Sequence, residues 1–521
     1  MWLDKYTGPW NINNANYLLD RLTYTKNKSK IEQVLNLGLE ASVDLLFNNG
    51  LKYDQPIHYV FDGDPNAAVG ESWVNTPSNN SIDKLRFERR RSLNGWIIGN
   101  FIESEFTILP KLIMFWHNHL PITSLNIPEF GYHYFDILRR NCKGDFRSLI
   151  EEITICPAML RFLNGNTNIK GSSNENYARE LLELFTIGRG EIAGEGDYTN
   201  YTEQDVVEIA RALTGWKFRI KDDGEVTSYL NQNKHDTTNK QLSYRFDNVV
   251  IVNKNEEEYK TVIDIILQKK EVAYNIVRQL HIWFVGADIT NDVEENVIIP
   301  LGDQLYSDNY QLESTLKKLF LSDYFFDSQR RGCMLLSPLD YVSKVLNTTE
   351  TEFSETLIDK YYLWVFLYAA VRKIGQKILD VPSVAGWTAY FQAPLYYQIW
   401  INSVSLIERE TLVKKLIKGV VYQDKSIKTD SLKLVNSLKN PTDINDLLEE
   451  MVSLFFTVTI SDGQKTYLKQ ILIPGLPDFE WTVEYGIYLS TPNDEELEQS
   501  IRQKTDSLVF AMLTMAEFHL L

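Results

Sequence analysis

Cysteine is scarce in this chain. Cys142, Cys156 and Cys333 show neither a CxxC spacing nor a pairing pattern within 521 residues. That density excludes a disulfide scaffold and leaves buried or incidental thiols. Positive charge is in deficit too: 53 Lys and Arg face 70 Asp and Glu, for a net charge of −17. Nucleic acid, which needs a cationic surface, is therefore disfavoured as a partner, and so is docking on anionic lipid. Long apolar runs are missing. The richest, Tyr361 to Val371, is too short to span a bilayer. The opening MWLDKYTGPWNINNANYLL carries Asp4 and lacks an apolar h-region, so it does not read as a secretory signal. The default expectation is the cytoplasm; the alternative is the periplasm or cell surface, reached by export in complex with a signal-bearing partner. There is no P-loop, dinucleotide fingerprint, HExxH, GxSxG or zinc-binding cysteine set.

What is present is helical periodicity and a dense central stretch. Hydrophobic residues make up 44%, aromatic 12% and charged 24%, the profile of a globular protein. The fold expected is mainly α, a multi-helical compact body with a small β-hairpin insertion near residues 216–253. An N-terminal lobe (1–335) and a C-terminal lobe (336–521) are expected to pack as one unit.

The organising stretch runs from Ser172 to Trp216. Its first helix is expected to open at Ser172, with Glu175 at capping-box spacing and an apolar stripe of Tyr177, Leu181, Leu184 and Phe185. Asn176, Glu180 and Glu183 flank that stripe, and Glu175 and Arg179 stand at i, i+4. Glu175, Arg179, Glu180 and Glu183 are expected to face the interior or a cleft. A second helix begins at Thr202, with Asp205 closing its box. WKFRI-DDG-EVTSYL then reads as a β-hairpin, with short strands possible at 242–246 and 249–252.

Histidines and loops supply the other candidates. PKLIMFWHNHL ends a helix in His117-Asn118-His119. In regular geometry residues two apart diverge, giving one core or capping histidine and one exposed; at a fraying terminus both can converge on a polar or metal site. His133 reads as aromatic-packed and His281 as a satisfied core histidine. His235 and Asp236 sit in the polar loop NKHDTTNK, and Asp380 to Pro394 is a long aperiodic loop of the kind that seals a cleft. The basic cluster Arg86, Arg89, Arg90 and Arg91 reads as a solvated or ion-paired face.

These segments together resemble the bacterial family known as domain of unknown function 1800. KLIMFWHNHL is similar to its Phe-Trp-His-Asn-His segment. ITICPAMLRFLNG, NENYARELLELFTIG and YTEQDVVEIARALTGW follow its central signature, in order and spacing. KHDTTNK resembles its His-Asp loop, IGQKILDVPSVAGW its Gly-Trp loop, and AEFHLL its C-terminal ending. Departures include YLLDRLTYTKNKS in place of an Arg-rich turn, Thr238 where Gly is frequent, and Ala516 and His519 in place of Pro and Gln. The resemblance implies no established activity. It implies frequent export, and a partner of the domain of unknown function 1501 type, which looks like the sulfatase and alkaline-phosphatase fold.

Two functions follow. In one, the chain is a folded partner of such a sulfatase/phosphatase-like envelope protein, with Trp387, Tyr390 and Phe391 as contact residues. In the other it is a metal-assisted or acid–base hydrolase. Glu180, Glu183, Arg179, Glu175 and Asn176 are then the catalytic candidates, and His117, His119, His235 and Asp236 the ligands of a possible divalent metal. The His117–His119 helix end, the Asn174–Glu183 segment and the His235–Asp236 loop are expected to meet in one polar pocket, because ionisable groups beside apolar neighbours are tolerable only where they satisfy one another.

Overall fold

The helix Ile12–Leu22 is buried along most of its length. Asn11 caps it by accepting the Asn13 and Asn14 N–H groups, both at 3.1 Å. Every residue from Asn14 to Leu22 is buried, although Asn14, Asn16, Asp20 and Arg21 are polar. The computed structural model describes residues 2–79, 81–123 and 126–521. The protein is 57% helical, and its β-structure among the described residues consists of two-stranded antiparallel pairs.

The buried apolar side chains form one continuous cluster reaching from Ala15 to Leu521. Helix Leu85–Ile102 runs against helix Leu357–Ile374, and small residues make that approach possible. A Cβ on Gly99 would lie 2.6 Å from the Trp364 indole, closer than atoms can pack. Helix Leu109–His119, with Pro110 in its first turn, is buried along its whole length.

The hairpin forms as its pattern predicts. Strands Trp216–Ile220 and Val226–Leu230 pair from Trp216↔Leu230 to Ile220↔Val226, and Gly224 at φ 91° turns the chain. The expected strands that follow are mostly absent. Only Lys240–Gln241 pairs with Val250–Ile251, and Tyr244–Phe246 is a 3-10 turn. Ser243 explains this: its Oγ accepts Arg245 N at 3.1 Å while Asp205 accepts Ser243 N at 2.7 Å. Such side-chain bonding competes with a strand ladder.

The central stretch also departs from expectation. Its first helix starts at Asn176, not Ser172. Ser172 instead makes an isolated bridge with Ile169, and Asn174 Oδ1 accepts Asn176 N at 3.0 Å. After Glu180 the helix widens into a π-turn, Leu181–Phe185, where Thr186 Oγ donates to the Leu181 carbonyl and Asn275 donates to Thr186 O at 2.7 Å. The second helix begins as read, with Asp205 Oδ2 accepting Thr202 N at 2.8 Å. Near the C-terminus a single long helix, Glu495–Thr514, is capped by Asp494.

Candidate functional site

The carboxylates of the central stretch form a half-buried rim. Arg179 joins the two motif helices by a bidentate fork to Glu203, at 2.7 and 2.8 Å, and also reaches Glu175 at 3.3 Å. The hydrogen bonds to Glu203 come first among the causes that raise the Arg179 pKa, and the same bonds lower that of Glu203. Tyr201 donates to Glu183 Oε2 at 3.1 Å, and Arg189 approaches the other oxygen at 3.8 Å. Burial, then the Glu183 charge, push the Glu180 carboxyl up. Asn176 is exposed.

These groups are at the surface rather than sealed inside. The side chains of Arg179 and Glu203 are 33% and 38% exposed, so water screens the pair. Arg179→Ala is therefore expected to cost about 1 kcal/mol or less, measured by urea unfolding. A loss of several kcal/mol would show that the rim is buried after all.

The histidines serve separate structural ends and do not meet in one pocket. His117 Nε2 accepts the Leu379 N–H at 3.0 Å, while its Nδ1 pairs with Tyr134 Oη at 2.9 Å and Tyr134 donates to Leu120 O at 2.7 Å. This chain of donors requires a neutral imidazole protonated on Nδ1. Burial holds the His117 pKa at about 3. His119 points the other way: its Nε2 donates to the Phe185 carbonyl at 3.0 Å, at the end of the π-turn, and burial holds it at about 4. The histidine helix and the central stretch thus do touch, but through a backbone carbonyl and not through Glu180 or Glu183.

His235 lies in a third place. Its Nδ1 donates to Thr214 O at 2.9 Å and its Nε2 faces Glu258 at 3.2 Å, a contact that raises its pKa. Lys240 also pairs with Glu258, and all three side chains are buried. Asp236 takes Arg211 Nε at 3.0 Å. Burial alone would raise Asp236, but hydrogen bonds from Thr238 and Arg211 outweigh it and hold the group at about 2.

The proposed metal ligands therefore do not fit a divalent ion. Each is committed to a different protein partner, and among the described residues no three His, Cys, Asp or Glu groups are placed to hold a metal. The expected contact residues also need correction. Trp387 and Tyr390 are core residues, and only Phe391 is exposed, at 42%. Asn118 Oδ1 accepts Trp387 N at 2.9 Å, Trp387 packs edge-on against His117, and Tyr390 stacks on Trp283 with centroids 4.3 Å apart. The Gly-Trp loop seals the interior, and the HNH segment is what holds it.

A charged centre at helix Ile12–Leu22 escaped sequence reasoning. Asp20 pairs with Lys26 at 2.9 Å and Lys344 at 3.4 Å, and Lys111 pairs with Asp340 beside them. Burial pulls the Lys344 ammonium down to about 8. Arg21 donates to the carbonyls of Arg330 at 2.6 Å and Leu521 at 3.2 Å. The signal was present as charges within runs that have no polar face: LLDRL, PKLIMFW and PLDYVSKVL.

Fold and networks define a mainly α-helical protein with one continuous core, in which most of the polar motifs serve the internal structure. The chain belongs to the family described as protein of unknown function (DUF1800), which matches residues 17–518, nearly its whole length. Comparison with curated proteins and with solved structures finds no match.

Proposed function

We propose that the chain acts as a folded, non-catalytic partner of another protein of the cell envelope, of the sulfatase/alkaline-phosphatase-like class (domain of unknown function 1501 type). One observation carries this reading: helix Phe479–Ser490 is apolar on two opposite faces. Trp481 and Tyr485 are fully buried, while Phe479, Val483 and Ile487 form an outward stripe at i, i+4, i+8, exposed by 60%, 51% and 49%. Leu476, just before the helix, is exposed as well, by 50%. Contiguous apolar stripes of this kind mark contact surfaces. The stripe is bordered by Asp478 and Glu480 and followed by Asp494, Glu495 and Glu496, so the complementary face should be apolar with basic edges. Like charge opposes pairing with a second copy.

The test is purification from the native host under mild cross-linking, followed by native mass spectrometry. A co-eluting sulfatase-like chain, lost on Val483→Glu, is the expected result. A monomer, or a homodimer alone, would sink the proposal. The hydrolase reading has its own support in the Glu180–Glu183 pair and the raised Glu180 pKa. Turnover of a phosphate, sulfate or glycosidic substrate by the pure chain, abolished by Glu180→Gln, would replace the partner reading.

A further inference from the structure

A polar cleft of about 360 Å³ opens between helix Pro128–Asn141, the loop around Trp73 and the tip of the β-hairpin. From its geometry we infer a binding site for a short neutral saccharide, a role independent of the proposed protein partner. Four observations lead there.

The first is rigidity. Gly224 at the hairpin tip sits directly on the backbone of Thr76, where a Cβ would come within 2.3 Å. Arg89, fully buried, ties the same turn down through Thr76 Oγ1 at 2.9 Å and Pro77 O at 3.1 Å, and pairs with Asp64 at 2.6 Å. The walls are thus built before any ligand arrives, which lowers the cost of binding.

The second is an unsatisfied acceptor. Glu129 is 4% exposed and lines the cleft. One of its oxygens takes Arg89 at 2.9 Å; the other, Oε2, has no hydrogen-bond partner. A buried carboxylate oxygen left open is costly in a folded protein unless a donor reaches it.

The third is charge balance. Each carboxylate on the wall meets a cation: Glu129 shares Arg89 with Asp64, Asp136 has Arg139 at 2.8 Å and Arg140 at 2.9 Å, and Glu225 has Lys221. His133 lines the cleft without a hydrogen bond among the described residues, and burial lowers its pKa. The surplus of carboxylates in the lining gives a phosphate no net attraction, and the outer carboxylates already hold Arg139, Arg140 and Lys221 in place of an amine. The cleft does offer many donors and acceptors at close range, which suits hydroxyl groups that both give and take hydrogen bonds.

The fourth is an aromatic wall. Tyr132 is half-buried at the cleft, set against Trp96 at 5.6 Å and Trp73 at 6.3 Å between ring centroids. A fixed ring beside a polar rim is an apolar platform for the C–H face of a sugar. The volume falls within the range of small-molecule sites, about 300–1,000 Å³.

The experiment is isothermal titration of the full chain with cellobiose, maltose and diacetylchitobiose, with inorganic phosphate and spermidine as charged probes. At least one disaccharide is expected to bind at millimolar concentration or tighter, and neither charged probe. His133→Ala and Glu225→Gln should each weaken that binding about tenfold; Glu225→Gln should also leave the melting temperature unchanged, since its partner Lys221 is exposed. Glu129→Gln is the second-line variant, because its loss of charge opposite Arg89 can unfold the site. No saccharide binding by the folded wild-type chain, binding indifferent to both variants, or binding of phosphate or spermidine in place of sugar would each overturn the inference.

Discussion

Acidification is expected to unfold this protein well before its carboxylates titrate. His117, His281 and His519 are held at about 3 and His119 at about 4, each chiefly by burial. All four are less than a tenth exposed. In the unfolded chain a histidine titrates near 6.5, so below that pH the unfolded state binds protons the native state refuses. Stability is then greatest above about pH 6.5 and falls as pH drops toward the native values. Between about pH 7 and 5 each histidine costs about 2 kcal/mol and the four together ~7–8 kcal/mol, which is comparable with a typical total stability of about 5–15 kcal/mol. His235 works in the opposite direction: Glu258 raises its pKa, so its contribution is complete in acid and lost as pH rises through the raised value. One such group cannot offset four. Urea unfolding at pH 7, 6 and 5 checks the prediction, and a midpoint that stays level across that range would refute it.

The second large effect lies in the charged centre. Asp20→Ala should cost about 3–5 kcal/mol, because it leaves Lys26 and Lys344 buried without their counter-charge. Side chains in that cluster are 3–4% exposed, so solvent screening gives little relief. The pH dependence separates this cause from simple loss of packing. Burial lowers Lys344 to about 8, whereas an unfolded lysine titrates near 10.4. Across that window the unfolded state carries a proton the native state lacks, so this group's contribution to stability rises with pH. The Asp20→Ala defect should shrink in alkali as Lys344 discharges, and Lys344→Met should restore part of the loss at pH 7. A defect of the same size at every pH, with no rescue by Lys344→Met, would mean that charge is not the cause.

Several elements could be read from the chain alone because their causes are local. Thr202 and Asp205 sit at box spacing and close a box. The alternation of WKFRI and EVTSYL around Asp-Asp-Gly makes the expected hairpin. The apolar face around His281 buries that histidine, and the ordered motifs identify the family. Ser172 had the right spacing too, but Asn174 offered its own neighbours a better hydrogen bond, and the helix began later.

What only the tertiary structure decided were the partners of charged and polar groups. The text HNH is compatible with a metal, a cap or a core histidine, and the choice turned on Leu379 and Phe185, which both lie far downstream in the chain. Trp387 and Tyr390 have the composition of a contact surface, yet Asn118 and Trp283 draw them inward. Asp20, Lys26, Lys111, Asp340 and Lys344 come from distant segments. Periodicity reports which face of a helix is buried, because that face is written in near neighbours. A charge in a helix with no polar face must find its counter-charge on another segment, and only the packing of the whole chain determines which one it meets.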